Sequence, residues 1–136
     1  MPRFTLAVSL LLALPMGIAQ AASLKELELN KTLNQVAKES SVGTPRAINE
    51  DILDEGYTVK GNELINHLAV RPNYAEQMRS DPNTVYLQLG ASVCRNEGYR
   101  KLMARGATMR YDFAEIKTKK PVATQRYTAA DCGMKP

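Results

Sequence analysis

The chain holds two cysteines, Cys94 and Cys132, 38 positions apart, and their chemistry is set by a segment at the other end of the sequence. Met1-Pro2-Arg3 is a short basic start. Phe4 to Leu14 is an apolar run broken only by Thr5 and Ser9, and Ala19-Gln20-Ala21 is an A-x-A pattern. These are the three parts of a secretory signal peptide. Pro15 and Gly17 are expected to break any helix behind the run. The run is far shorter than the ~20 residues of a spanning helix, and no cysteine stands near the cleavage point to take a lipid. The reading is therefore a leader over residues 1–21 and a single exported domain over residues 22–136, periplasmic or released, with no stable membrane anchor. In such oxidising compartments a cysteine pair forms a structural disulfide. No C-x-x-C motif supports redox work. The lone histidine, His67, leaves a Cys/His zinc site unfilled without carboxylates. Neither a metal nor a cofactor is expected.

A covalent link suits the rest of the composition. Once the leader is gone, Phe113 is the one phenylalanine, there is no tryptophan, and six tyrosines remain. The core must rest on Leu, Ile, Val, Met and Ala, and a domain of this size buries a modest fraction of its surface. Closing a loop of this length contributes about 4 kcal/mol in the chain-entropy account. Losing Arg3 lowers the formal charge of +4 by one, which is too mild for a nucleic-acid binder.

Helix and strand signals then alternate along the chain. Ser23-Leu24-Lys25-Glu26 is a capping box, and Leu29, Leu33, Val36 and Ala37 follow at helical spacing, so a helix is expected over residues 23–40. Lys60-Gly61-Asn62 separates two strand-like runs, roughly 46–59 and 62–70. Asp54-Glu55-Gly56 suggests a bend or bulge in the first of them. A short helical stretch is expected over 73–79. Asp81-Pro82 starts a helix over 82–94, with an acid at the cap and proline in the first turn. Asn96 caps a further helix carrying Tyr99, Leu102 and Met103, and Gly106 ends it. Ala107, Met109, Tyr111 and Phe113 alternate with polar residues, Lys117 to Pro121 forms a basic turn, and Val122 to Thr128 returns. The order α-β-β-α-α-β-β reads as an α+β fold, an antiparallel sheet of two hairpins packed with helices. Neither face of the 62–70 run is purely polar, so helices are expected on both faces.

Few of these residues suggest catalysis. His67 is the natural candidate general base, yet it falls mid-strand with no nucleophile near it and no G-x-S-x-G elbow in the chain. Glu50, Asp51, Asp54 and Glu55 lack the rhythm of a calcium loop and read as a solvated strand edge. A basic set is the better candidate: Arg95, Arg100, Lys101 and Arg105 on or beside one short helix, and Lys117, Lys119 and Lys120 in the hairpin turn. Convergence of the two groups would give a patch for an acidic partner. Tyr74, Tyr86 and Tyr99 flank it, as interface residues or as caps over the core.

The stretch Val93-Cys94-Arg95-Asn96, Tyr99-Arg100-Lys101-Leu102-Met103, Arg105-Gly106-Ala107, the strand with Tyr111 and the closing Ala130-Asp131-Cys132 resembles small exported bacterial proteins. Together with Thr44-Pro45 through Gly61-Asn62-Glu63-Leu64 it is similar to the quorum-sensing-regulated virulence factor family of proteobacteria, Pseudomonas included. The resemblance implies an α/β sandwich with no mapped active site. The expected role is secretion followed by binding to another protein, through a patch of Arg95, Tyr99, Arg100, Lys101, Arg105, Lys117, Lys119 and Lys120. The alternatives are a periplasmic inhibitor or accessory factor, and a cell-envelope hydrolase. Intact-mass analysis of protein recovered from the cell envelope should give a chain starting at Ala22 with both sulfurs oxidised. Two alkylatable thiols on a chain that retains residues 1–21 would contradict the reading.

Overall fold

A computed structural model describes residues 13–135, with side-chain environments from Leu24 onward. The basic start and most of the apolar run of the leader, residues 1–12, lie outside the described residues. Helix α1 covers Ala13–Ser40, so the expected break at Pro15 and Gly17 is absent. Pro15 falls in the first turn, where a helix has no need of its missing N–H. The helix is therefore already under way at Ser23, and that capping box does not start it in the uncut chain. Among the described residues no helix is long and apolar enough to cross a membrane.

The first extended stretch divides in two. Strand β1 is only Arg46–Ala47 and β2 is Ile52–Lys60. Between them Asn49 Oδ1 accepts from the N–H groups of Asp51 (2.8 Å) and Ile52 (3.0 Å) and folds β1 back antiparallel on β2. The expected bulge lies between Asp54 and Tyr57, where Gly56 holds φ of 108°, a value that favours glycine. The turn at Gly61-Asn62 leads to β3, Glu63–Val70, pairing Lys60 with Glu63.

Helices α2, Pro72–Ser80, α3, Pro82–Arg95, and α4, Glu97–Ala104, follow. The caps read from the sequence are in place. Asp81 accepts from Thr84 N at 3.3 Å, and Asn96 Oδ1 accepts from Tyr99 N at 3.0 Å. Gly106, with φ of 104°, turns the chain out of α4 into β4, Thr108–Glu115. Strand β5 is Pro121–Tyr127, and a single 3-10 turn, Ala130–Cys132, follows it.

The result is an α+β fold whose five-stranded sheet has the order β1-β2-β3-β4-β5. Both expected hairpins, β2–β3 and β4–β5, are antiparallel. They meet along β3 and β4, which run parallel from Glu63↔Thr108 to Val70↔Glu115, so the sheet is mixed. A parallel pair needs a long crossover, and α2, α3 and α4 supply it.

The buried core is one cluster. It joins Leu29, Leu33 and Ala37 of α1, Ala75 and Met78 of α2, Val93 of α3 and Leu102 and Met103 of α4 to Leu64, Leu68, Val70, Met109, Tyr111, Phe113 and Tyr127 of the sheet. Alternation and register put all of these strand residues on one face. The helical layer therefore lies on that face, rather than on both as expected. Ile65 and Ala69 point to the other face and are buried outside the cluster, which is why the β3 pattern looked covered on both sides. In register they are flanked by Thr58 and Arg110, and by Leu53 and Ala114.

Cys94, in the last turn of α3, is bonded to Cys132 with their Cα atoms 5.3 Å apart, an ordinary span for a disulfide. Beside it Tyr127 is almost fully buried. It stacks on Tyr86 with ring centroids 4.8 Å apart, meets Tyr111 edge-on at 6.0 Å and donates its hydroxyl to the carbonyl of Tyr86 at 2.8 Å. A Cβ on Gly90 of α3 would stand 2.9 Å from Cε1 of this pinned ring. Helix propensity alone would make Gly90→Ala stabilising by up to about 1 kcal/mol. Because the ring has nowhere to go, the substitution should instead cost about 1–3 kcal/mol, read as a lower urea midpoint. A raised midpoint would show that the ring yields.

Candidate functional site

The basic residues singled out from the sequence do not converge. Arg105 precedes β4 and Lys117, Lys119 and Lys120 follow it, so the two groups are separated by the length of an eight-residue strand, roughly 25 Å. Lys119 pairs with Glu55 at 3.5 Å. Arg100 donates from Nη1 to the carbonyl of Cys94 at 2.9 Å, so it ties α4 to the end of α3. Arg95 and Lys101 are exposed, and Arg105 Nη1 donates to Thr32 Oγ1 of α1 at 3.3 Å. Tyr74, Tyr86 and Tyr99 pack against the core as partly buried rings. Burial is the main reason the hydroxyls of Tyr57 and Tyr111 are held well above the ordinary tyrosine range, with Tyr99 adding to both.

The titratable residues of β2 and β3 have structural partners. His67 Nε2 lies 2.6 Å from Thr58 Oγ1 across the β2–β3 pair. Asp54 is not part of a solvated edge: it is 4% exposed. Its carboxylate accepts from Gly56 N and Asn66 Nδ2, each at 2.9 Å, and Arg46 Nη2 stands 3.5 Å away. The acid closes the bulge that the glycine opens. Among the described residues no group of three His, Cys, Asp or Glu could hold a metal.

The face of the sheet opposite the core cluster carries an ion-pair network. Arg110 donates to both oxygens of Asp112, at 2.8 and 3.0 Å, and to Glu63 Oε1 at 3.0 Å. Arg126 Nε donates to Glu63 Oε2 at 2.8 Å, and Thr124 Oγ1 to Asp112 at 3.2 Å. Arg110 and Arg126 are direct cross-strand partners, a like-charge pair that is unfavourable alone. Glu63 bridges them. Desolvation pushes the Glu63 carboxyl upward, but hydrogen bonds and charge from Arg126 and Arg110 outweigh it and hold the group below the ordinary glutamate range.

A concavity lies elsewhere, where α1 crosses two turns. It encloses about 760 Å³ and is lined by Lys25, Glu26, Leu27, Leu29 and Asn30 of α1, by Gly61-Asn62 and by Arg105-Gly106. Hydrogen bonds fix its floor. Asn30 Nδ2 donates to the carbonyl of Gly61 at 2.7 Å, Asn62 Nδ2 to that of Gly106 at 2.9 Å, and Thr108 N to that of Asn62 at 2.9 Å. A Cβ on Gly61 would meet nothing within 4 Å, so the floor opens directly to the groove. Of the lining residues Leu27 is 60% exposed; Leu24, one turn earlier on α1 and outside the lining, is 59% exposed. Of the residues singled out from the sequence for binding, Arg105 alone reaches this groove. The missed signal was Leu27, an apolar residue out of phase with the buried stripe Leu29, Leu33, Val36 and Ala37. Asn30 and Asn62 gave no such signal, because their partners are distant in sequence.

Residues 22–133 match the family model described as "Putative quorum-sensing-regulated virulence factor". The chain belongs to this family. The matched span begins just after the A-x-A pattern and takes in both cysteines. Among solved structures, the family domain is similar to "a putative secreted protein" from Pseudomonas aeruginosa, at 66% identity and TM-score 0.79, covering 80% of this chain and 96% of that one. It shares its fold with two type II secretion pilotins. One is from Vibrio vulnificus, at 16% identity and TM-score 0.62, covering 84% of this chain and 98% of that one. The other is from Vibrio cholerae, at 18% identity and TM-score 0.67, covering 82% and 99%. No curated protein matches the chain.

The ion-pair network generates a pH prediction. A carboxyl whose folded pKa is depressed adds stability above its unfolded value, about 4.3, and that stability is lost as pH falls through the folded value. Thermal melts of Glu63→Gln should start lower at neutral pH and fall less steeply than the parent between about pH 5 and pH 3. Parallel curves for the two proteins over that window would show that Glu63 does not carry the acid limb.

Proposed function

We propose that the domain, exported and freed of residues 1–21, works as a non-catalytic binding protein that serves a larger cell-envelope assembly, the type II secretion system. The observation that carries this reading is the fold shared with two type II secretion pilotins over 98% and 99% of their chains. The site chemistry supports it. The groove is lined by leucines, asparagines and turn backbone, with Lys25, Glu26 and Arg105 at its edge. His67 is engaged with Thr58 on the face of the sheet opposite the core cluster. Its register neighbour on β4, Asp112, is engaged in turn with Arg110 and Thr124. The reading also accounts for the disulfide, which suits a small domain that must persist in an oxidising compartment.

A clean deletion in the encoding bacterium tests it. The activity of type II exported enzymes in the culture supernatant should fall severalfold while their cellular pool rises. Expression of the wild-type chain should restore both. Unchanged supernatant activity in the deletion strain would overturn the assignment to type II secretion.

A further inference from the structure

We infer that the cleft between α2 and α3 binds one neutral N-acetylhexosamine ring of an envelope glycan. The inference takes its access to glycan from the export proposed above and is otherwise independent of the type II secretion role. The cleft encloses about 310 Å³. Small-molecule sites span roughly 300–1,000 Å³, so this one has room for a single sugar ring.

Two helices that meet at Ser80-Asp81 build it. Tyr74, Gln77 and Met78 stand at i, i+3 and i+4 on α2, and Thr84, Val85 and Gln88 follow Asp81 at the same spacing on α3. Each helix therefore turns one face to the cleft. The floor is apolar and held by the core: Met78 is buried, and Tyr74 and Val85 are partly buried against the same cluster. The rim is polar and open to water, with Gln77, Thr84 and Gln88 exposed.

Charge and hydrogen bonding select the ligand. Among the described residues of the lining, Asp81 alone is charged. Arg79 of α2 is turned away to Glu115 and the carbonyl of Pro121. Asp81 Oδ1 accepts from Thr84 N at 3.3 Å and its Oδ2 from Thr84 Oγ1 at 2.8 Å. The first turn of α3 is thus capped by the chain's own acid and offers nothing to an anion. A phosphate or carboxylate ligand would meet Asp81 with no cation opposite it. Each oxygen of Asp81 keeps a lone pair for a further donor, and each glutamine amide carries two donors and an acceptor. Sugar hydroxyls both donate and accept, so they match the two amides. The acetamido group adds a methyl for the Met78 and Val85 floor and an N–H for Asp81, which a plain hexose lacks.

The test uses the mature protein purified from the envelope, isotope-labelled for amide NMR. It is titrated with triacetylchitotriose, a linear oligomer of N-acetylglucosamine, and with cellotriose, which has the same length and no acetamido groups. Triacetylchitotriose should saturate and bind about tenfold tighter than cellotriose, with the shifted amides clustered at residues 74–88. Gln77→Ala and Gln88→Ala, at exposed helix positions where alanine favours the helix, should each weaken it about fivefold. Asn83→Ala, on α3 outside the lining, should change nothing. Circular dichroism matching the parent shows that each variant is folded. Failure to saturate, equal affinity for the two sugars, unchanged affinity in both glutamine variants, or shifts centred on the α1 groove would overturn the inference. Co-sedimentation with purified cell-wall sacculi, reversed by free triacetylchitotriose, would identify the wall as the source of the ring. Binding of the oligomer without co-sedimentation would identify a soluble glycan carrying the same ring. A secretion defect on deletion with no sugar binding would remove the glycan and leave the type II role standing.

Discussion

The parallel pairing of β3 with β4 is the contact from which the rest of the molecule follows. It joins two hairpins that would each be marginal alone. Because both strands run the same way, the chain between them must return from one end of the sheet to the other, and α2, α3 and α4 fill that return as one layer. The pairing begins at Glu63 and Thr108. The residues just before each strand, Asn62 and Gly106, are thereby brought side by side, and their hydrogen bond forms the floor of the groove. With an antiparallel junction these two turns would lie at opposite ends of the sheet.

Local signals were readable because their chemistry is local. Asp81 and Asn96 cap helices by bonding three residues ahead, Gly56 marks a bulge, and Gly61-Asn62 closes a hairpin. The disulfide followed from the leader and the cysteine count. Strand direction at β3–β4 was not readable, since alternation of apolar and polar residues is the same in either orientation. The apolar Ile65 and Ala69 on the second face of β3 suggested a second helical layer, whereas in the fold they lie between Thr58 and Arg110 and between Leu53 and Ala114 of the adjacent strands. Asp54 looked like one of four surface acids, and only the fold brings Asn66 to it from another strand.

The candidate site was partly legible for the same reason. Arg105 was singled out by charge and does reach the groove, whereas the lysines of the β4–β5 turn shared its sign and not its location. Charge composition cannot tell two ends of a strand apart. The leucines at 24 and 27 were visible as apolar residues, but their exposure depends on which face of α1 the sheet covers. That face is set by Leu29, Leu33 and Ala37 together with Leu64 and Met109, residues drawn from three separate elements.

The contact between Gly90 and Tyr127 has an evolutionary consequence. A missing side chain on one helix and a large ring on the last strand occupy a single shared volume, so neither position is free to drift alone. Descendants that acquire bulk at the glycine must first, or at the same time, accept a smaller residue at the tyrosine. Loss of the ring would in turn remove the stacking surface beneath Tyr86. The two sites should therefore change as a linked pair across the family, an imprint of packing on ancestry at positions outside the groove.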